Sequence, residues 1–162
     1  MRHILSILVA NNSGVLSRIT GLFSRRGYNI DSLSVGTSED QRYSRITVVV
    51  HGDEKIVEQI LKQVAKQVDV HDVMELCSDS AIFRELCFVK VEASAASRPD
   101  IFNVANVFRA NIIDVSTRTM TMELTGDSDK LQAFIELMKP YKILEIVRTG
   151  LTAISRGAAD TL

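Results

Sequence analysis

The first half of the fold is decided where Ile4-Leu5-Ser6-Ile7-Leu8-Val9 is followed by Asn11-Asn12-Ser13-Gly14. The first of these segments is rich in branched apolar residues and predicts a strand over Arg2–Val9. The polar segment predicts a turn that can begin a helix. After it, apolar residues recur at helical spacing, which predicts an amphipathic helix with one inward face made of Val15, Leu16, Ile19, Leu22 and Phe23.

The pattern outward from this helix completes one structural unit. Strands are predicted over Ile30–Thr37, Ser44–His51 and Val70–Leu76, because each is rich in β-branched or apolar residues. Asp53 is placed to cap a second helix. The inward face of that helix is predicted to contain Ile56, Ile60, Leu61, Val64 and Val68. The resulting order is β-α-β-β-α-β.

The same order occurs a second time. Strands are predicted over Ile82–Ala93, Asn111–Ser116, Thr119–Gly126 and Tyr141–Thr149, and helices over Pro99–Phe108 and Asp127–Met138. This repeat predicts an α+β protein made of two consecutive ferredoxin-like βαββαβ sandwiches. The predicted domains are 1–76 and 82–149, and 150–162 is predicted to be a loose tail because it is rich in small residues.

Composition excludes several classes of protein. The chain has 162 residues, of which 46% are hydrophobic and 24% charged, and its net charge is −1. A neutral chain argues against nucleic-acid binding by phosphate neutralisation, and the predicted third strand has no aromatic residue on which a base could stack. No apolar run approaches the ~20 residues that cross a membrane. The two cysteines show no metal or redox spacing, so we expect a cytoplasmic protein without bound metal.

Each predicted sheet has helices on one face only. In the third strand, Ile46, Val48 and Val50 face one side, and Thr47, Val49 and His51 face the other. Val49 and the apolar residues of Ile30–Val35 are poorly suited to water. This pattern predicts that a partner covers the second face, most simply another copy of the chain.

The sequence shows no group of residues with the types and spacing that a catalytic or metal-binding site requires. His51-Gly52-Asp53 and His71-Asp72 are interpreted as strand-end residues, because neither brings the ligand set that a metal requires. Cys87 lies in an apolar strand and is expected to behave as a small hydrophobic residue. Phosphate-binding and nucleophile motifs are missing from the sequence, so no catalytic residue is predicted.

The predicted turn Asn11–Leu16 is the best candidate for a binding site. The free amides of a helix N-terminus hold a carboxylate well, and Gly14 lets a ligand approach the backbone closely. The amide of Asn11 accepts from an ammonium and donates to a carboxylate, while Val15 and Leu16 are placed to contact an apolar side chain. These groups match a free α-amino acid. The alternative is that Asn12 or Ser13 only caps the helix.

A second polar turn, Arg26-Gly27-Tyr28-Asn29-Ile30, follows the first helix. Asn29 stands at the beginning of the second strand. It either ends the helix or contacts a ligand across an interface, and the residues alone leave both interpretations open.

These two turns carry a resemblance to a known family. Asn11–Ile19 and Gly21–Leu33 are similar to the small, regulatory subunits of acetolactate synthase, also called acetohydroxyacid synthase. Further similar segments cover most of the chain, among them Gly52–Lys55, Phe108–Val115 and Arg148–Gly157. The chain departs from the family at Asn12, where acidic residues are frequent.

The resemblance implies an N-terminal ACT domain that forms a homodimer and a ferredoxin-like C-terminal domain. It also implies that the chain has no active site or cofactor of its own. It would activate a large catalytic subunit that holds thiamine diphosphate, Mg²⁺ and FAD, and would make that subunit sensitive to valine or a related branched-chain amino acid. By family pattern, valine would contact Asn11, Gly14, Val15 and Leu16 of one copy, and Asn29 and Ile30 of the other.

Two other functions stay open at this level. The chain could be an ACT amino-acid sensor that regulates a different enzyme. It could also be a small ferredoxin-like enzyme, although no residues that would supply the chemistry are found.

Overall fold

The computed structural model describes residues 1–157, and the chain folds into two compact units. Unit 1 contains Met1–Phe83 and the described residues from Leu151 onward, and unit 2 contains Arg84–Gly150. The first six elements all belong to unit 1. They are β1 (Arg2–Ala10), α1 (Val15–Arg25), β2 (Ile30–Thr37), β3 (Tyr43–His51), α2 (Glu54–Ala65) and β4 (Val70–Glu75).

The sheet of unit 1 has the strand order β2-β3-β1-β4, and all its neighbouring strands are antiparallel. One face packs against the two helices. Its core is made of aliphatic side chains with Phe23, which is fully buried. The β-α-β-β-α-β order predicted from the sequence is therefore confirmed, and with it the ferredoxin-like class.

Two residues predicted to face the core of unit 1 do not lie in it. Leu16, predicted on the inward face of α1, is 38% exposed, and the second is Val68. Helical spacing predicts Val68 on the inner face of α2, but this helix ends at Ala65 and the Val68 side chain is 99% exposed. The backbone leaves the helix through Lys66 and Gln67, and Gln67 N donates to Val64 O at 2.9 Å. The helical spacing that placed Val68 inward no longer applies there.

The second face of this sheet is covered by the chain itself. Val49 is 1% exposed, and the neighbouring apolar side chains Ile4 and Met74 pack with Leu76, Ala81, Phe83 and Ala153. Ser34 Oγ and Thr152 Oγ1 lie 2.9 Å apart. The apolar character of Val49 is thus explained within one chain, and it is no argument for a second copy.

The covering segments come from two distant parts of the sequence. β5 (Ala81–Glu92) begins in unit 1, and β9 (Thr152–Ser155) pairs with it. Leu151 and Ala153 are 3% and 4% exposed. The prediction of a loose tail from residue 150 is therefore wrong for the described residues 151–157, because alternate apolar side chains there are buried. Residues 158–162 of that prediction lie outside the described part of the chain.

Unit 2 repeats the architecture of unit 1. From Arg84, β5 is followed by α3 (Arg98–Phe108), β6 (Asn111–Val115), β7 (Thr119–Gly126), α4 (Ser128–Met138), a 3-10 turn (Lys139–Tyr141) and β8 (Ile143–Arg148). Its sheet order, β6-β7-β5-β8, is equivalent to that of unit 1. Methionine and aromatic side chains, among them Met120, Met122 and Phe134, fill the core together with Val and Leu residues.

An ion pair between a buried carboxylate and a partly exposed guanidinium joins two neighbouring strands of unit 2. Glu85 is 6% exposed, and its two carboxylate oxygens accept hydrogen bonds from Nε and Nη2 of Arg148, both at 2.7 Å. The hydrogen bond to Glu85 raises the pKa of Arg148 above its ordinary value. This bidentate pair connects β5 with the end of β8, and both oxygens of the buried Glu85 carboxylate have a hydrogen-bond donor.

A membrane-spanning helix is not found among residues 1–157, since every helix there is too short or too polar. The cytoplasmic location expected from the cysteines stays a prediction.

Candidate functional site

The candidate turn begins where β1 ends, and Asn11 ties it to the β2–β3 hairpin. Asn11 N donates to Arg42 O at 2.7 Å, and Asn11 Nδ2 donates to Gln41 O at 2.9 Å. Ser44 Oγ in turn donates to Asn11 Oδ1 at 3.1 Å. A carboxamide has two N–H groups and two acceptor positions, so one of each is left for a ligand. The first role of Asn11 is therefore to hold the turn in place.

The hairpin that receives Asn11 is itself stabilised by charge. Arg42 donates to Asp40 from its backbone N and from Nε, at 3.0 and 3.1 Å. The side-chain hydrogen bond from Arg42 lowers the pKa of Asp40 to about 2. This ion pair lies in the same turn whose carbonyls, those of Gln41 and Arg42, accept from Asn11.

Gly14 forms the N-terminal boundary of α1 in a left-handed conformation, with φ 85°. Left-handed backbone is readily available to glycine and costly for most other residues. Among the described residues, no side chain caps this helix, whereas Asp53 caps α2 and Asp127 caps α4. The alternative in which Asn12 or Ser13 caps α1 is therefore wrong.

The uncapped helix leaves backbone donors available. Val15 N donates to Asn12 O at 3.3 Å, and the first helical hydrogen bond runs from Arg18 N to Gly14 O at 3.1 Å. Between them, the amides of Leu16 and Ser17 are in the positions that have no partner inside a helix. Two adjacent N–H groups at the positive end of a helix dipole suit a carboxylate.

Arg18 adds a cation that sequence reasoning missed. A Cβ built on Gly14 would lie 3.3 Å from Arg18 Nη1, so the guanidinium covers the turn. Arg18 Nε also donates to Asp69 Oδ2 at 2.7 Å, which holds the side chain in this position. The sequence spacing indicates this position, because residues four apart on a helix are neighbours and Arg18 stands four positions after Gly14.

The two apolar residues of the turn have different environments. Val15 is 2% exposed and packs in the core of unit 1, so its side chain anchors the helix. Leu16 is 38% exposed and is free to contact an apolar group of a ligand. Within one chain, Leu16 is therefore the better candidate for contacting the side chain of a bound amino acid.

Asn29 and Ile30 lie at the other end of the molecule's first unit. Ile30 shares a sheet row with Val50 and His3, whereas Ala10 pairs with Tyr43 at the opposite end of the strands. α1 has 11 residues, so its ends are about 16 Å apart. The structure does not bring Asn29 to Gly14 within one chain. Asn29 Nδ2 instead donates to Asp31 Oδ1 at 2.8 Å.

Two of the histidines lie at the end of the sheet away from this turn, whereas the His71 ring lies 5.0 Å from that of Tyr43, the residue that pairs with Ala10. His3 Nδ1 lies 2.6 Å from Glu75 Oε1, and His51 pairs with Asp31. Residues 1–157 contain no group of three His, Cys, Asp or Glu side chains that could hold a metal ion. Burial raises the pKa of the Cys87 thiol, which suits a core position. The turn is therefore suited to binding a ligand through the backbone amides of Leu16 and Ser17 and the guanidinium of Arg18.

Both halves of the chain match models of one protein family. Residues 5–72 match the ACT domain of small subunits of AHAS, and residues 84–157 match the small subunit of acetolactate synthase.

Full-length relatives agree with these matches. The chain is 48% identical over 157 residues to the probable acetolactate synthase small subunit of Archaeoglobus fulgidus, which covers 97% of this chain and 98% of that protein. It is 48% identical over 158 residues to the acetolactate synthase small subunit of Bacillus subtilis, with 97% and 92% covered. The crystal structure of the small subunit from Thermotoga maritima superposes with a TM-score of 0.92 at 38% identity, over 98% of this chain and 99% of that one.

Proposed function

The chain belongs to the family of acetolactate synthase small subunits, and on this premise we propose that it activates the large catalytic subunit and makes it sensitive to valine. In this proposal the chain performs no catalysis and holds no cofactor. Thiamine diphosphate, Mg²⁺ and FAD are held by the large subunit. The product leads to the branched-chain amino acids, so valine acts as a feedback inhibitor.

The observation that carries the proposal is the uncapped N-terminus of α1 beside Arg18. The carboxylate of valine accepts from the amides of Leu16 and Ser17, and Arg18 faces its charge. In α2 and α4 an aspartate caps the helix, whereas α3, like α1, has no side-chain cap; α1 differs in having Arg18 beside its free amides. A turn that leaves them free and adds a cation is suited to a small anionic group.

The second half of the site comes from another copy of the chain. Within residues 1–157, β2 pairs only with β3, so it forms one edge of the sheet. Edge strands offer a row of backbone groups to a partner. If two β2 strands pair antiparallel across a twofold axis, the first residues of one strand lie beside the last residues of the other.

This pairing would complete the site. Thr37, the last residue of β2, shares a row with Ser44 and Val9, next to the candidate turn. Asn29 and Ile30 of the second copy therefore approach the turn that contains Gly14. The Asn29 amide can then hydrogen-bond the ammonium or carboxylate of valine, and Leu16 and Ile30 contact its isopropyl group. The homodimer is thus part of the binding site.

The expected affinity suits a sensor of a metabolite. Burial of an isopropyl group contributes roughly 1.5–3 kcal/mol. Charge-assisted hydrogen bonds add about 1.5–3 kcal/mol each. After the cost of immobilisation, a net of about −5 to −6 kcal/mol corresponds to a dissociation constant on the order of 0.1 mM. One methylene changes affinity by only about 1–3 kcal/mol, so leucine and isoleucine are expected to bind as well.

A ligand that touches two copies can regulate a third protein. Valine stabilises the relative orientation of the two copies that brings Gly14 and Asn29 together. Only this difference in affinity between orientations can shift the equilibrium and change the catalytic subunit.

The test is reconstitution with the large catalytic subunit, assayed with pyruvate. We expect the two proteins to co-elute, the rate to rise on adding the chain, and valine to lower the rate only when the chain is present. If valine binds the chain but the large subunit neither co-elutes nor changes its rate, the chain is an ACT sensor for a different enzyme. If neither binding nor activation is found, the proposal is wrong.

A further inference from the structure

Unit 2 contains an open cleft that the proposed valine site does not use. Its volume is about 830 Å³, and three loops of unit 2 line it. These are the β5–α3 loop, the β6–β7 turn and the segment that joins α4 to β8. The size is within the range of pockets that bind small organic molecules.

The walls of the cleft are braced by hydrogen bonds between these loops. Ala93 N donates to Arg118 O at 2.8 Å, and Glu92 N donates to Lys142 O at 3.1 Å. Arg98 Nη2 donates to Ser116 O and, at 3.5 Å, to Ala93 O. All three loops are thus connected through backbone carbonyls, so the cleft exists before any ligand enters it.

The charge of the lining is positive. Arg118 and Lys142 line the cleft with one acidic residue, Glu92, whose Oε1 accepts from Lys142 Nζ at 2.5 Å. Within residues 1–157, no acidic side chain forms an ion pair with Arg118. One cation is therefore left uncompensated at the cleft, in a chain whose net charge is −1.

The rest of the lining divides into hydroxyl and apolar groups. Ser94, Ser97, Thr117 and Thr119 supply hydroxyls, and Pro140, Tyr141 and Leu144 supply apolar surface. The hydroxyls of Ser94 and Ser97 hydrogen-bond each other and that of Thr119 hydrogen-bonds Ser116, and each keeps lone pairs or a second position for a ligand. The N-terminus of α3 contributes little here, because Pro99 has no N–H and Arg98 N already donates to Ser94 O at 3.1 Å. The attraction for an anion therefore comes from side chains.

Lys142 is held in an unusual backbone conformation at the edge of the cleft. Its φ is 56° and its ψ 91°, although it is not a glycine. Backbone of this kind persists only where the surroundings hold it, and it is concentrated at functional positions. Here Lys142 N donates to Lys139 O and its carbonyl accepts from Glu92 N.

We propose that this cleft binds a small organic anion, a carboxylate or a phosphate ester with an apolar body. Arg118 and the serine and threonine hydroxyls face the charged group. Lys142, which donates to Glu92 in the free protein, also donates to the ligand. Tyr141 and Leu144 pack against the apolar part. The site is independent of the proposed valine site, because every residue in it belongs to unit 2.

The experiment follows backbone amide shifts of the full-length chain by NMR. The probes are phenyl phosphate, phenylacetate, inorganic phosphate and sodium chloride at matched ionic strength. We expect phenyl phosphate or phenylacetate to shift the amides of the three cleft loops with saturation in the millimolar range. The member of the pair that binds more tightly identifies the anionic group.

Two variants and one control decide the result. Arg118→Gln is expected to weaken the probe at least tenfold, and so is Lys142→Gly, since glycine keeps the positive φ without the ammonium. Lys139→Gln is the control, because Lys139 is an exposed lysine beside the cleft that pairs with Glu136 and does not line it. Its probe affinity is expected to be unchanged.

The proposal is overturned if neither organic anion shifts these loops, or if sodium chloride shifts them equally. It is also overturned if Arg118→Gln and Lys139→Gln reduce the affinity by the same factor, since that result describes general charge screening. Valine titrated in the same samples reports on unit 1 separately, so failure of one site leaves the other testable.

Discussion

The proposed valine site can be tested with one pair of variants at Gly14, Gly14→Asp and Gly14→Asn. The two new side chains have nearly the same shape, and both tolerate left-handed backbone better than most residues do. A Cβ at Gly14 approaches only the flexible end of Arg18, at 3.3 Å. Both variants therefore bear a similar conformational cost, and they differ in one negative charge.

The magnitude follows from the position of that charge. The carboxylate of bound valine and the carboxylate introduced by Gly14→Asp would lie about 4 Å apart, which costs about 1 kcal/mol in water and about 4 kcal/mol at an effective dielectric constant of about 20. Gly14 is exposed and Arg18 offsets part of the repulsion. We therefore expect Gly14→Asp to bind valine about 2 kcal/mol more weakly than Gly14→Asn, which is roughly 30-fold.

The assay is titration calorimetry of valine into the full-length chain, with urea unfolding as a measure of stability. Gly157→Asn is the matched control, because Gly157 also has a positive φ of 70°, a Cβ there meets nothing within 4 Å, and the residue belongs to neither turn of the proposed site. It introduces the same side chain at the same kind of backbone position and should keep its valine affinity. Equal affinities of Gly14→Asp and Gly14→Asn, within about twofold, would refute the placement of the valine carboxylate at this turn.

Three further predictions concern the stability and packing of the two units. Leu151→Ala should lower the free energy of unfolding by about 2–4 kcal/mol in urea titrations, because Leu151 is 3% exposed; a loss below about 0.5 kcal/mol would mean that the segment is only loosely attached. Arg148→Met should destabilise the protein by about 3 kcal/mol in the same assay, since it leaves the buried Glu85 carboxylate unpaired; an unchanged midpoint would contradict this. Cys77 is exposed, whereas burial raises the pKa of Cys87, so a thiol reagent at neutral pH should modify one cysteine rapidly and the second only after unfolding; two rapid reactions would show that unit 2 opens readily.

A site shared by two copies has a consequence for regulation. In one chain, the turn with Gly14 and the residue Asn29 lie at opposite ends of α1, so neither can bind valine through all its polar groups alone. In the proposed shared site, valine binding is therefore expected to depend on the geometry of the dimer. Any variant that weakens β2 pairing is expected to weaken valine binding without altering the turn itself. Such a variant would distinguish the contribution of the dimer from that of the turn.

Much of the architecture follows from local patterns that a short segment carries by itself. The spacing of Val15, Ile19, Leu22 and Phe23 defines a helical face, and β-branched runs such as Ile46–Val50 define strands. These patterns predicted the element order in both units, and the structure confirms it. The resemblance of Asn11–Ile19 and Gly21–Leu33 predicted the family, which the full-length relatives confirm.

Local patterns also predicted the candidate turn, because a polar segment with a glycine between a strand and a helix precedes backbone donors that have no partner inside the helix. They could not show whether the helix amides are free. That depends on whether a side chain reaches back to cap α1, and Asn11 instead reaches across to Gln41 and Ser44 of the β2–β3 hairpin. The four-residue spacing places Arg18 near Gly14, but its hydrogen bond to Asp69, 51 positions away in the sequence, is a tertiary contact.

The coverage of the first sheet was decided by contacts between distant segments. The strand pattern around Val49 predicts a partner molecule, since alternation shows which face a side chain takes but not what lies opposite that face. The chain brings Ala81 and Ala153 to this face from two places far apart in the sequence. Burial there is a property of the whole fold, whereas helix and strand periodicity is a property of neighbouring residues, and only the second can be read from the order of amino acids.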